Sequence, residues 1–217
     1  MDLILLAGGR SRRMGDGVEK QLARIGGKPA LIHCIEVIRE AVSLERIIVN
    51  ATPEARATVS RVIEDYGIAN VVLCDAGETR QESVAIALEF VTAERVLLHE
   101  AARPLITAEL VRRVAASPAA AVVPVWEVPF TVTIGSVRME AELDRSKLRN
   151  VQLPQAFNTE VLKESHLRAA TQGEVATEDS ALVFRAGYEV VFVDGIAENI
   201  KITYPVDLRI AEAIIYG

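Results

Sequence analysis

Residues 3–15 read Leu-Ile-Leu-Leu-Ala-Gly-Gly-Arg-Ser-Arg-Arg-Met-Gly, and Lys20-Gln21 follow five residues later. An apolar strand that opens at once into a small-residue, cationic loop suits the binding of a polyphosphate. Glycines let the backbone come close and point N–H groups at the anion, while guanidinium and ammonium groups offset its charge. Gly8-Gly9 taken alone also fits a plain tight turn. Gly26-Gly27-Lys28-Pro29 lacks the Ser/Thr and the spacing of a P-loop, so it reads as a turn into a helix.

Further polar clusters punctuate the apolar runs. Ala76-Gly77-Glu78-Thr79-Arg80 follows one run, His99-Glu100-Ala101-Ala102-Arg103-Pro104 another, and Trp126-Glu127 a third. Glu100 and Arg103 could also be a simple ion pair near a helix start. A set of such clusters is expected in an open α/β sheet, where ligands bind beyond the carboxyl ends of the strands.

The elements needed to position these clusters are legible as alternating patterns. Strands are expected at Leu3–Leu6, Arg46–Ala51, Asn70–Leu73, Arg95–Leu98, Ala120–Val125 and Tyr188–Val193, with a short one at Asn199–Thr203. Helices are expected at Pro29–Ala41, from Thr52-Pro53 to Gly67, at Thr79–Val91, Thr107–Ala116 and Asn158–Gln172, and from Pro205 onward. The strands are nearly all apolar, as a sheet covered on both faces requires. The expected fold class is α/β, a doubly wound, mostly parallel sheet in a single domain spanning 1–217. The rhythm breaks at 127–149. There Thr131–Ile134 and Val137–Leu143 alternate around Gly135-Ser136, a β-hairpin arm with no sheet neighbour of its own. Such an arm either lies as a surface flap or packs on a second subunit.

Composition narrows the function classes. The 217 residues carry a net charge of −6, half are apolar and a quarter charged, as in a globular domain with a sizeable core. No long basic run offsets the negative charge, which argues against a nucleic-acid partner. The basic residues gather near the N-terminus and around Arg145, Lys147 and Arg149, a pattern that fits a small anionic ligand. Cys34 and Cys74 have no metal-ligand spacing and sit among apolar residues, so buried, reduced thiols in a cytoplasmic protein are expected. No stretch approaches the roughly 18 apolar residues of a membrane span. A nicotinamide enzyme is disfavoured, since Ala7-Gly8-Gly9-Arg10-Ser11-Arg12 breaks the G-x-G-x-x-G pattern and no Tyr-x-x-x-Lys pair exists.

Seven motifs, in order, carry a resemblance. Residues 6–15, Lys20-Gln21, Gly27-Lys28-Pro29, 77–84 (Gly-Glu-Thr-Arg-Gln-Glu-Ser-Val), 99–104 (His-Glu-Ala-Ala-Arg-Pro), 154–157 (Pro-Gln-Ala-Phe) and 199–203 (Asn-Ile-Lys-Ile-Thr) occur along essentially the whole chain. Together they resemble the 2-C-methyl-D-erythritol 4-phosphate cytidylyltransferases, whose close relatives act on ribitol 5-phosphate. The resemblance implies a Rossmann-like nucleotidyltransferase that joins CTP to a sugar-alcohol phosphate with Mg²⁺ and releases pyrophosphate. It implies that Arg13, Lys20 and Lys201 are catalytic, gripping the triphosphate and the α-phosphate. Ala7, Gly8, Gly9, Gly77, Glu78 and Ser83 would frame the nucleotide. Glu100 and Arg103 would face the acceptor. Arg145, on the arm, would bind the acceptor phosphate of a neighbouring subunit in a homodimer. Which residues, if any, ligate the metal directly is left open.

Departures from the family pattern fall mainly on the acceptor side. Glu100 stands for an aspartate, and Val128 and Leu153 stand for threonines that line that side in the family. The acceptor therefore stays open between methylerythritol phosphate, the first choice, and ribitol 5-phosphate, a phosphonate or an unusual polyol phosphate. A catalytically weak nucleotide-binding homologue is the alternative from another class.

Overall fold

The computed structural model describes residues 1–9 and 21–216. The chain begins with β1 (Asp2–Leu6), a small hairpin of β2 (Arg24–Ile25) and β3 (Lys28–Pro29), and α1 (Ala30–Ala41). Next come β4 (Ile47–Ala51), α2 (Pro53–Asp65), β5 (Val71–Asp75), α3 (Arg80–Leu88), β6 (Arg95–Glu100), α4 (Ala108–Ala116) and β7 (Ala121–Glu127). The arm holds β8 (Thr133–Gly135), β9 (Met139–Glu142) and a 3₁₀ turn at Arg145–Lys147. After it follow β10 (Arg149–Val151), β11 (Gln155–Asn158), α5 (Thr159–Gln172), α6 (Asp179–Arg185), β12 (Val190–Asp194) and α7 (Pro205–Tyr216).

Helix starts follow local chemistry. Thr52, Thr107 and Asn158 each accept a hydrogen bond from the backbone N–H three residues on, and Pro53 opens α2. Thr79 and Glu82 form a reciprocal capping box at the start of α3.

In the main sheet β7, β11, β6, β1, β4 and β5 are successive neighbours, and β10 and β12 each pair with β7. The β1–β4, β1–β6, β4–β5 and β7–β12 pairs are parallel, while β10 and β11 run antiparallel to their partners. Successive residues of the central strands serve opposite faces, as the two-residue period demands. Leu3, Leu5, Val49 and Leu97 pack with Ile35, Val59 and Val111 of α1, α2 and α4. Ile4, Ile48, Val96 and Leu98 pack with Val84 and Leu88 of α3 and Leu162 of α5. The doubly wound α/β sheet expected from the sequence is what the chain adopts.

Three details differ from expectation. Asn199–Thr203 is not a strand: it is an irregular segment tied to the loop after β6 by one backbone bond, Ile202 N to Ala102 O at 2.8 Å, and anchored by the fully buried Ile202 side chain. The hairpin turns through Ser136, Val137 and Arg138, because Gly135 pairs with Met139 across a register shift. The antiparallel β10 and β11, the seven-residue α6 and the two-residue strands β2 and β3 are additional elements. Pro154 interrupts the first two, and α6 is too short to express a helical period.

Candidate active site

A cavity of about 410 Å³ opens at the carboxyl edge of the sheet. Ala7, Gly8 and Gly9 line it after β1; Gly77, Glu78 and Ser83 line it around the start of α3; Glu100 and Lys201 complete it. Eight of the residues singled out from the sequence thus converge on one space. Arg13 and Lys20 lie outside the described residues.

The two glycine loops are clamped together rather than left loose. A Cβ at Gly8 would stand 2.3 Å from Ala76 Cβ, and one at Gly77 would stand 2.4 Å from Glu82 Cβ. Glycine is thus required by loop packing at both positions. The expectation that glycine N–H groups of the first loop point at an anion needs correcting at Gly8, whose N–H shares one protein acceptor with that of Ala7. Both donate to Asn50 Oδ1, at 3.0 and 3.2 Å, and Asn50 Nδ2 donates to Ser83 O at 3.3 Å. Fully buried at the end of β4, Asn50 ties the first loop to α3. Ser83 Oγ in turn accepts from Gly77 N at 3.0 Å and donates to Thr79 O at 2.8 Å.

Charge is concentrated at the other end of the cavity. Glu100 is almost wholly buried and meets three cations: Lys201 Nζ at 2.8 Å, Arg80 Nε at 3.4 Å and Arg103 Nε at 3.6 Å. Burial opposes its charge, but Lys201, Arg103 and Arg80 outweigh it and hold the carboxyl at about 2. Arg103 does not line the cavity, and its Nη1 donates to Asn199 O at 2.9 Å. Asn199 Nδ2 donates to Leu153 O at 2.6 Å, which fixes the 199–203 segment and so places Lys201. The Glu100–Arg103 ion pair considered from the sequence does form, within this larger cluster.

Arg80, Glu178 and Asp179 were not singled out by sequence reasoning. Arg80 also pairs with Asp179 and, at 3.3 Å, with Glu178. Asp179 is held by His166 Nε2 at 2.9 Å, and Glu178 by Gln155 Nε2 at 3.1 Å. For Glu178 and Asp179, adjacent acids before a short apolar run were the only signal in the sequence, whereas Arg80 stood in the 77–84 motif without a role.

The chain-wide comparisons decide the family. The family model described as 2-C-methyl-D-erythritol 4-phosphate cytidylyltransferase matches residues 1–216. The chain belongs to the 2-C-methyl-D-erythritol 4-phosphate cytidylyltransferase family. It is similar to the enzymes of that name from Bacillus cytotoxicus and Geobacillus kaustophilus, each 36% identical over 99% of this chain and 97% or 96% of theirs. It is also similar to the crystal structure of the Thermus thermophilus enzyme of that name, with TM-score 0.80, 32% identity and full coverage of both chains.

Within this cytidylyltransferase chain the three remaining acceptor-side positions are placed apart from the cavity lining. Leu153 corrects the expectation of an acceptor-facing side chain. It is fully buried in the core with Phe157, Leu162 and Val183, and only its carbonyl serves the site. Val128 is half-buried just past β7. Arg145 is exposed on the 3₁₀ turn, where its Nη1 donates to Pro129 O at 3.1 Å.

Proposed function

We infer that this protein transfers CMP from CTP to 2-C-methyl-D-erythritol 4-phosphate and releases pyrophosphate. The supporting observation is the convergence of the family's motifs on one cavity, with Lys201 poised on Glu100 at its charged end. An oxygen of the acceptor phosphate attacks the α-phosphorus of CTP, and the bond from that phosphorus to the β-phosphate bridge oxygen breaks. The attacking phosphate is already ionised at neutral pH, its second pKa being about 6, so no protein base is needed. The barrier is an anion meeting an anion, which aligned cations lower. In this reading Lys201, about a third exposed, exchanges its carboxylate partner for phosphate oxygen, and Arg13 and Lys20 serve the triphosphate.

Mg²⁺ belongs to the reading as part of the CTP complex. Among the described residues no group of three His, Cys, Asp or Glu side chains could hold a metal, and the cavity's Glu100 is occupied by three cations. Mg²⁺ that keeps its waters and binds substrate phosphates needs no such cage. When bound it would neutralise charge on the triphosphate.

A homodimer completes the reading. The β8–β9 pair forms its own two-stranded sheet and leaves Phe130, Val137 and Met139 exposed, Val137 by 97%. A lone two-stranded hairpin is marginal in water, which supports packing of the arm on a second copy. The net charge of −6 supports a protein without a nucleic-acid partner, the two buried thiols support a cytoplasmic enzyme, and among the described residues no helix is long and apolar enough to cross a membrane.

Phosphorus-31 NMR of purified protein with CTP, Mg²⁺ and methylerythritol phosphate tests the reaction. The expected result is a new diphosphate diester with free pyrophosphate. Unchanged CTP and acceptor contradict it.

A further inference from the structure

Arg80 opens α3 and lines the cavity, yet each of its three guanidinium nitrogens lies within ion-pair distance of a different carboxylate. Nε faces Glu100 at 3.4 Å, Nη2 faces Glu178 at 3.3 Å, and Nη1 bonds Asp179. Nε and Nη1 also hydrogen-bond to their carboxylates, so the guanidinium is engaged mainly by the protein, although Nη2 makes no hydrogen bond. Two of the three carboxylates are carried at the start of α6, away from the strands that frame the cavity, and each has its own support. His166 holds Asp179, and Gln155 holds Glu178. A rigid bracket thus reaches from α5 and α6 through Arg80 to Glu100.

Stability does not account for the bracket. Buried ion pairs often do no better than apolar side chains of the same volume, whereas removing one partner is costly. Position is what a planar, forked guanidinium supplies and a hydrocarbon does not. Glu100 needs such an anchor, because its shortest contact is Lys201, whose ammonium is the group that an incoming phosphate would draw away. Arg103 stands farther off, at 3.6 Å, with another of its nitrogens committed to Asn199 O.

We propose that Arg80 is a positioning residue of the acceptor subsite, a guanidinium braced by Asp179 and Glu178 that keeps the Glu100 carboxylate in place when Lys201 turns to substrate phosphate. The proposal rests on the cytidylyltransferase reading above. It predicts that the Arg80 contribution is felt by the acceptor and not by CTP, whose expected loops meet at Asn50 and Ser83 instead.

Pyrophosphate-release kinetics with CTP and methylerythritol phosphate, each varied in turn, test it in the parent enzyme, Arg80→Met and Arg80→Lys. Losing a charge-assisted anchor should raise the acceptor KM of Arg80→Met by about ten- to a hundredfold. The CTP KM should stay within about twofold, and Arg80→Lys should recover part of the loss. Arg80→Met/Asp179→Asn removes one orphaned carboxylate and gives the same readout should the single variant not fold. A folded variant with an unchanged acceptor KM overturns the proposal, as does an equal rise in both KM values. A parent enzyme that releases no pyrophosphate overturns the functional reading and this proposal with it; an active parent beside unaffected variants overturns this proposal alone.

Discussion

Lys201 Nζ stands 2.8 Å from Glu100 Oε2, a partly exposed ammonium on a buried carboxylate. The lysine comes from the segment before α7 and the glutamate from the end of β6, so the pair joins two separate segments at the charged end of the site. A cation shared between a fixed internal anion and a passing phosphate is held ready without being locked.

Lys201→Met removes that cation while keeping most of its apolar stem. Loss of one preorganised electrostatic group typically lowers kcat by about 10²–10³. We expect a fall of that size, with partial recovery in Lys201→Arg. Steady-state kinetics at saturating CTP checks it, and near-parental turnover in Lys201→Met would remove the lysine from the mechanism.

Asn50→Ala breaks three hydrogen bonds between the first loop and α3. Each unsatisfied buried group costs about 1–3 kcal/mol, so thermal stability should drop clearly. The glycine loops would also lose their register, and the CTP KM should rise more than the acceptor KM. A variant with parental CTP KM would show that Asn50 serves the fold alone.

Most of the fold was legible in the sequence because the central strands are continuous apolar runs and the helices begin with Thr, Asn or Pro. Arg46–Ala51 could be read as a strand, but the meaning of Asn50 within it could not, since its partners lie in the first loop and in α3, reached only by folding. Arg80 stood in a recognised motif, yet its role depends on α6, whose seven residues show no period. Leu153 shows the reverse failure. Position within a family motif suggested a side chain facing the acceptor, while the backbone turns that side chain into the core and offers the site its carbonyl.

Leu153→Thr follows from that correction. A hydroxyl placed among Phe157, Leu162 and Val183 loses apolar burial and lacks an evident partner, at a cost on the order of 1–3 kcal/mol. We expect a lower melting temperature and no gain in kcat/KM for methylerythritol phosphate. A gain in kcat/KM would restore Leu153 to the acceptor site.

Acid should destabilise the protein through two groups, His99 and Glu100, whose contributions to the pH dependence have the same sign. Burial pushes His99 down from its ordinary 6.5 to about 4, with the charge of Arg103 adding to the effect. The unfolded histidine binds the proton more readily, so its contribution is full above 6.5 and is lost as pH falls towards 4. Over that window it amounts to on the order of 3 kcal/mol. Glu100, against the opposing effect of burial, is held by Lys201, Arg103 and Arg80 at about 2 rather than 4.5, so its contribution is lost as pH falls from 4.5 towards 2. Urea midpoints should therefore fall between about pH 7 and pH 4.5, less steeply in His99→Gln. Equal midpoints across that range would contradict the assignment of a neutral buried His99.

The most direct test of the central claim is the initial rate of pyrophosphate release from CTP with methylerythritol phosphate, beside ribitol 5-phosphate as the competing acceptor. Acceptor-dependent release is expected with kcat/KM of about 10⁴ M⁻¹s⁻¹ or above for methylerythritol phosphate, well over the value for ribitol 5-phosphate. Release that does not depend on methylerythritol phosphate, or that favours ribitol 5-phosphate, would contradict it.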